Sequence, residues 1–255
     1  MDTSAKKIAL VTGGSRGLGK EMAFSLAKKG IGVIITYNSK KEEAASVVAA
    51  IEAMGQPAAA LQLNTGDATG FDAFFVQLKA VLTDRFSAGS IHFLINNAGI
   101  GIHAPFESTT EEQFDMLLNI HFRGVYFLTQ KALPLLADGG GIVNISTGLA
   151  RFSFPGYSAY GAMKGAVETL TRYQAKELGS RKIRVNVVAP GAIETDFGGG
   201  LVRDNADMNK TVAAATALGR VGMPDDIGSV VAFLCTDDAK WVNAQRIEVS
   251  GGMML

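Results

Sequence analysis

The chain has 255 residues, 47% hydrophobic and 19% charged, enough for one large core of the kind that α/β folds of this length commonly build as a single domain. Lys plus Arg and Asp plus Glu stand at 24 each, so no net charge draws the molecule toward nucleic acid or an anionic membrane. Near-zero charge with an apolar surplus favours burial between subunits, and a homo-oligomer is expected.

The opening segment 1–7, MDTSAKK, carries no apolar signal region with a cleavage site. Six short aliphatic runs follow: Ile8–Val11, Gly32–Thr36, Ala58–Leu63, Ile91–Ile95, Gly141–Ile145 and Ile183–Val188. Four to six residues long and unalternated, they predict strands buried on both faces of a parallel sheet. Between them the helical period predicts helices at Gly17–Lys29, Lys40–Met54, Asp72–Phe86, Glu111–Leu136 and Tyr160–Leu178. Strand–helix alternation implies right-handed crossovers and a doubly wound α/β sheet covered on both faces, one domain over 1–255. The Gly-, Asn-, Asp- and Ala-rich piece 194–218 is irregular, and reads as a surface excursion or a lid over a site. The lone Cys235 excludes an internal disulfide and a multi-cysteine metal site, so no metal is expected; it ends the apolar run Val230–Cys235 and reads as a buried helix thiol. No stretch reaches membrane-spanning length, and a soluble, cytoplasmic protein is expected.

The loop Thr12–Gly19, TGGSRGLG, leaves the first strand and opens the first helix. Glycines there permit a tight turn and let backbone N–H groups approach a pyrophosphate, which then sits on the positive end of the helix. The position points to a dinucleotide; the alternative is a plain strand–helix turn. The Thr-Gly-x3-Gly-x-Gly spacing resembles the signature of the short-chain dehydrogenase/reductase family. The resemblance implies a Rossmann-type fold with Gly13, Ser15, Arg16, Gly17, Leu18 and Gly19 along the cofactor. Which dinucleotide binds depends on the second strand, which ends ITYNSKK with no carboxylate before Glu42. An NAD ribose wants that carboxylate, whereas a 2′-phosphate wants cations and small donors. Arg16 with Tyr37, Asn38, Ser39 and Lys40 therefore points to NADP(H), and in the family an Arg at this loop position goes with NADP. The resemblance also places Asn64 near the adenine, with Asp67 as a competitor, and Asn97, Ala98 and Gly99 of the Asn96–Gly99 run on the cofactor floor.

Tyr160 and Lys164 are four apart and share a helical face. A phenol is a poor acid or base near pH 7 until a neighbouring cation lowers its pKa. After the glycine loop and Asn-Asn-Ala-Gly, this Tyr-x3-Lys extends the resemblance to essentially the whole chain. The family places a hydroxyl thirteen residues before the tyrosine, which lands on Thr147, with Ser146 in reserve on the opposite face of a regular strand. Where relatives carry an asparagine that helps hold a water linked to the lysine, this chain has His121, with Asn119 two residues earlier. His121 takes over the relay, or a shifted helix brings Asn119 into it, or neither serves.

The turn Pro190–Thr195 is implied to lie beside the nicotinamide, with Pro190, Gly191 and the Ile193 backbone near its carboxamide and the Thr195 hydroxyl near a phosphate. Ile102, His103, Phe152, Phe154, Tyr157, Ile193 and Phe197 make a mostly apolar candidate pocket for a small ketone or alcohol. The segment Gln245–Gly252 resembles the family's last strand, implying a homotetramer (or a homodimer). The reading that results is an NADPH-dependent carbonyl reductase, or alcohol dehydrogenase in reverse, using Tyr160 as general acid/base. An enoyl reductase is the related alternative, because Tyr157 and Lys164 stand seven apart. A non-catalytic NADP sensor on the same fold is the unrelated one.

Overall fold

The computed structural model describes residues 7–255; residues 1–6, most of the segment searched for a signal sequence, lie outside the described residues. Chain order runs β1 (Ile8–Val11), α1 (Gly17–Lys28), β2 (Gly32–Tyr37), α2 (Lys41–Ala53), β3 (Ala58–Gln62), α3 (Phe71–Phe86) and β4 (Ile91–Asn96). It continues through α4 (Glu111–Leu118), α5 (Gly124–Ala132), β5 (Leu136–Ile145), α6 (Ser158–Glu177), β6 (Arg184–Pro190), α7 (Leu201–Asp204), α8 (Ala206–Ala214), α9 (Pro224–Leu234) and β7 (Arg246–Val249). The strands form one parallel sheet in the order β3-β2-β1-β4-β5-β6-β7. The order reverses between β1 and β4, where open α/β sheets leave a crevice beyond the strands' C-terminal ends.

Strand side chains alternate between two apolar layers. Ala9 and Val11 pack with Met22 and Leu26 of α1 and Val231 of α9. Ile8 and Leu10 pack on the other face with Phe71 and Leu78 of α3 and Leu128 of α5. Both faces are covered, so an unalternated aliphatic run suits each central strand; a fully buried Leu or Ile there contributes roughly 1.5–3 kcal/mol.

Two elements differ from expectation. The helix predicted over 111–136 breaks into α4, a single π turn at Asn119–Arg123, α5 and a 3-10 turn at Leu133–Leu135. Pro134 sits in that last turn, has no N–H to donate, and ends the helix, so Leu136 already belongs to β5. The wide turn lies where Gly124 meets the β3–α3 loop: a Cβ on Gly124 would stand 2.1 Å from the Thr65 carbonyl oxygen. The segment 194–218, expected to be irregular, contains α7 and α8, with the Asn205 side chain capping α8 through the N–H groups of Asp207 and Met208. Cys235 follows α9 directly and is fully buried, and burial pushes its thiol up to about 12. Among the described residues no helix is long and apolar enough to cross a membrane, and no three His, Cys, Asp or Glu side chains converge to hold a metal.

Candidate active site

The glycine loop is a backbone device. Gly13 and Gly17 take φ of +67° and +54°, which side chains rarely tolerate. A Cβ on Gly19 would fall 2.2 Å from the Gly13 carbonyl oxygen, so α1 approaches the loop too closely for any other residue. The loop is pinned from β4: the Asn97 and Ala98 N–H groups donate to Thr12 Oγ1 at 2.9 and 3.0 Å. Asn97 Nδ2 donates to the carbonyls of Thr12 and Gly13 at 2.9 and 3.2 Å. Leu18 packs on the core, and Ser15 is nearly buried.

Around this cradle the remaining expected cofactor residues are brought together. Arg16 is half-exposed, 3.7 Å from Asp196, and Asn38, Ser39 and Lys40 lie exposed just past β2. Tyr37 packs on the core beneath them. Asn64 Oδ1 accepts from the Gly66 N–H at 3.0 Å, while Asp67 Oδ1 is taken by the Thr69 hydroxyl at 2.6 Å. After β6, the Gly191 N–H donates to the Val249 carbonyl, Ile193 bridges to Gly222, and buried Thr195 comes within 3.8 Å of a Cβ built on Gly17. The cradle that a Cβ would fill, the exposed Arg16 and the facing Thr195 wall fit a dinucleotide with a 2′-phosphate.

Tyr160 and Lys164 occupy the first turns of α6, with 6% and 4% of their surface exposed. Lys164 Nζ donates to the Ile145 carbonyl at the end of β5 at 2.7 Å and lies 5.7 Å from the Tyr160 ring centre. Burial pulls the Lys164 ammonium down to about 7. Burial pushes the Tyr160 phenol up, Tyr157 adds to this, and the Thr147 hydroxyl beside it opposes the rise. In the chain by itself Tyr160 therefore holds its proton. Thr147 is extended, and its Oγ1 accepts from the Leu149 N–H at 3.3 Å. Ser146 points the other way, as a period of two requires, and its hydroxyl donates to Glu168 at 2.6 Å. That commitment removes the reserve candidate from the Tyr160 side of the strand.

His121 sits on the π turn, 1% exposed, its ring edge-on to Tyr160 at 5.1 Å. Its Nε2 lies 2.8 Å from the Ile100 carbonyl, while Nδ1 is buried with no hydrogen-bond partner among the described residues. Burial, then the Lys164 charge, brings this imidazole down to about 3, so it is neutral. Gly99 makes room for it: a Cβ there would stand 2.6 Å from His121 Cε1. Asn119 spends its carbonyl on the Gly124 N–H that closes the turn.

Of the expected pocket residues, Phe197 meets Tyr160 at a tilt with ring centres 5.7 Å apart, and Ile102 and Tyr157 pack against the Tyr160 cluster. Exposed His103 meets Tyr157 edge-on at 5.1 Å. Phe152 and Phe154 form a separate pair at 5.7 Å, with Phe152 laid over Gly148. Two charged residues that sequence reasoning passed over also reach this corner. Arg246 donates to the Thr147 carbonyl and to Glu168. Glu168 was accessible as a signal, since it continues the Tyr160–Lys164 spacing by another four residues.

Known proteins resemble this chain over nearly its whole length. Residues 13–254 match a family model described as enoyl-(acyl carrier protein) reductase. An uncharacterized oxidoreductase of Methylorubrum extorquens is 39% identical over 248 residues, 97% of each chain. A hydroxynaphthalene reductase-like protein of Metarhizium brunneum is 37% identical, covering 97% of this chain and 95% of that one. The crystal structure of a landomycin C-6 ketoreductase with bound NADP and rabelomycin superposes with a TM-score of 0.89 at 36% identity, covering 97% and 96% of the two chains. The chain belongs to the short-chain dehydrogenase/reductase family, and its single seven-stranded parallel sheet is the Rossmann-type fold expected.

Proposed function

We propose that the chain is an NADPH-dependent carbonyl reductase acting between a ketone and its secondary alcohol, with Tyr160 as general acid and base. One observation carries this reading: the Tyr160 phenol, Lys164 ammonium and Thr147 hydroxyl share a buried corner joined to the glycine cradle through Phe197 and Thr195. NADPH, when bound, supplies the hydride. Gly13, Ser15, Gly17, Leu18 and Gly19 line its pyrophosphate; Arg16, Tyr37, Asn38 and Ser39 receive the 2′-phosphate end; Asn64 meets the adenine side. Asn97, Ala98 and Gly99 form the floor, and Pro190, Gly191, Ile193 and Thr195 hold the opposite wall. Related solved structures carry NADP, which supports this choice.

Tyr160, kept protonated by burial, gives its proton to the carbonyl oxygen, and Thr147 donates a hydrogen bond to the same oxygen. Lys164 favours the phenolate left behind and reaches the cofactor ribose. Of the two relay candidates His121 is favoured, because its buried, unpartnered Nδ1 can accept from a water beside Lys164. Ile102, His103, Tyr157 and Phe197, flanked by Phe152 and Phe154, receive a flat, apolar ketone. The hydroxynaphthalene and angucycline names among the relatives favour a fused-ring aromatic one. Enoyl reduction, which the family description names, is disfavoured: Tyr157 lies against His103 while Tyr160 lies over Lys164.

The segment 194–218 acts as a lid in this reading, its Asp196 meeting Arg16 across the cradle. A homotetramer (or homodimer) and a cytoplasmic location complete it. Exposed Phe114, Met116, Tyr126 and Phe127 near α4 and α5, and Tyr173 on α6, support burial against another copy, which light scattering would test. The activity is tested by loss of NADPH absorbance with 1-tetralone, 2-tetralone, 1,4-naphthoquinone and aliphatic ketones. Turnover with fused-ring ketones is expected. Tight NADPH binding with no turnover across the panel would point to the sensor.

A further inference from the structure

Thr147 stands at a junction that local hydrogen bonds hold only at long reach: the Ala150 N–H donates to its carbonyl and the Leu149 N–H to its hydroxyl, each at 3.3 Å. It leaves β5 in an extended conformation, and a short turn, Gly148–Ala150, begins at the next residue. Its carbonyl receives one fork of Arg246, Nη2 to O at 3.2 Å, from a strand 99 positions away. The second fork, Nε, donates to Glu168 Oε1 at 2.8 Å. That same oxygen accepts from Ser146, the residue before Thr147. Glu168 rides on α6, four residues beyond Lys164 and eight beyond Tyr160. The third nitrogen, Nη1, meets Glu248 at 3.0 Å. Glu248 also holds Arg151 at 3.0 Å, at the far end of the turn that follows Thr147. Arg246, Glu168 and Glu248 are mostly buried, with 24%, 13% and 22% of their side-chain surface exposed. One planar guanidinium thus ties the hydroxyl-bearing strand exit to the helix that carries the tyrosine, using three directed donors that an ammonium cannot reproduce.

We infer that Arg246, with Glu168 as its counter-charge, is a positioning residue that holds the Thr147 hydroxyl against Tyr160 and so governs proton transfer at that phenol. The inference rests on the assignment of Tyr160 and Thr147 above. If the Thr147 hydroxyl drifts, Tyr160 loses the hydrogen bond that opposes its upward shift, and its phenolate becomes harder to form. A misplacement of about 1 Å is enough to cost on the order of 100-fold in rate. The other groups facing Tyr160 are held by contacts that do not involve Arg246: Lys164 by the Ile145 carbonyl, neutral His121 by the Ile100 carbonyl, and Tyr157 just ahead of the helix by packing on Tyr160.

The test compares wild type with Arg246→Lys and Arg246→Ala in NADP+-dependent oxidation of 2-tetralol across pH. Both variants should lose on the order of 10- to 100-fold in kcat with KM for NADP+ changed less than about 3-fold. The pH at which oxidation reaches its plateau should move upward, which a smaller folded fraction alone would not do. Guanidinium ion in the buffer should restore Arg246→Ala in part, and ammonium should not. Hydrogen exchange in the 146–152 peptide gives a readout independent of turnover and should quicken in both variants. An unmoved profile with near-normal kcat, unchanged exchange in that peptide, or equal rescue by both cations would overturn the inference. Tyr160→Phe separates the two levels: if it stays active, the parent assignment fails; if it is dead while the Arg246 variants behave as wild type, only the positioning role fails.

Discussion

The two corners of the crevice are built by different means. At β1–α1 the glycine cradle is made of backbone: two left-handed glycines, a helix too close to admit a Cβ, and N–H groups pinned through Thr12 and Asn97. At β5–α6 the proton-transfer corner is made of side chains drawn from five places: Thr147, Tyr160 with Lys164, His121, Phe197 and Arg246. A backbone site tolerates almost no substitution, whereas a side-chain site can exchange parts if the new ones find partners. Thr147 and His121, the two positions that depart from the family pattern the sequence resembles, fall in the second corner, and each has its own accommodation. Gly99 clears space for the imidazole, and Arg246 anchors the threonine.

The comparison can be broken by substitution. On cofactor binding the largest effect is expected at Gly19→Ala, which forces a Cβ against the Gly13 carbonyl oxygen. Loss of NADPH binding by at least about 100-fold or outright misfolding is expected, read by cofactor fluorescence and circular dichroism. Near-normal affinity would mean the cradle is less tight than its geometry. Next comes Arg16→Ala, which would remove the charge-assisted contact proposed above to the 2′-phosphate. NADPH should weaken by roughly 10- to 100-fold and NADH hardly at all, so the preference between them narrows. Equal weakening of both would place Arg16 elsewhere.

The smallest effect concerns His121 and acid. Its folded pKa, about 3, lies below the ordinary value of 6.5, so the unfolded chain binds this proton first as pH falls. Stability from this group is complete above pH 6.5 and drains away as pH drops toward 3, costing on the order of 2 kcal/mol by pH 5. His121→Asn removes this term. Urea titrations at pH 7 and pH 5 should show the variant losing less stability over that interval than the wild type. Equal losses would mean the imidazole is not buried neutral.

These contrasts also explain what could be read from the chain before folding. The cradle was legible because its parts are consecutive and each glycine answers to a local constraint. Tyr160 and Lys164 were legible because helical spacing alone puts them on one face. The strands were legible because burial on both sides leaves them aliphatic. The π turn was not, because it lies where Gly124 meets Thr65, two segments that only the fold brings together. The break of the long helix was signalled by Pro134, yet the apolar period ran through it. Glu168 could be read from its helical spacing, but Arg246 stayed invisible because it lies 78 residues further on and looks like a surface charge until β7 is laid beside β6.

The central claim is that Tyr160 transfers the proton. The most direct measurement is a single turnover of NADPH with 2-tetralone by Tyr160→Phe, alongside NADPH binding by the same protein. The account predicts cofactor affinity within about 3-fold of wild type and a hydride-transfer rate reduced by at least about 1000-fold, inside the roughly 100- to 10,000-fold range ordinarily ascribed to general acid catalysis. Hydride transfer within 10-fold of wild type would contradict it.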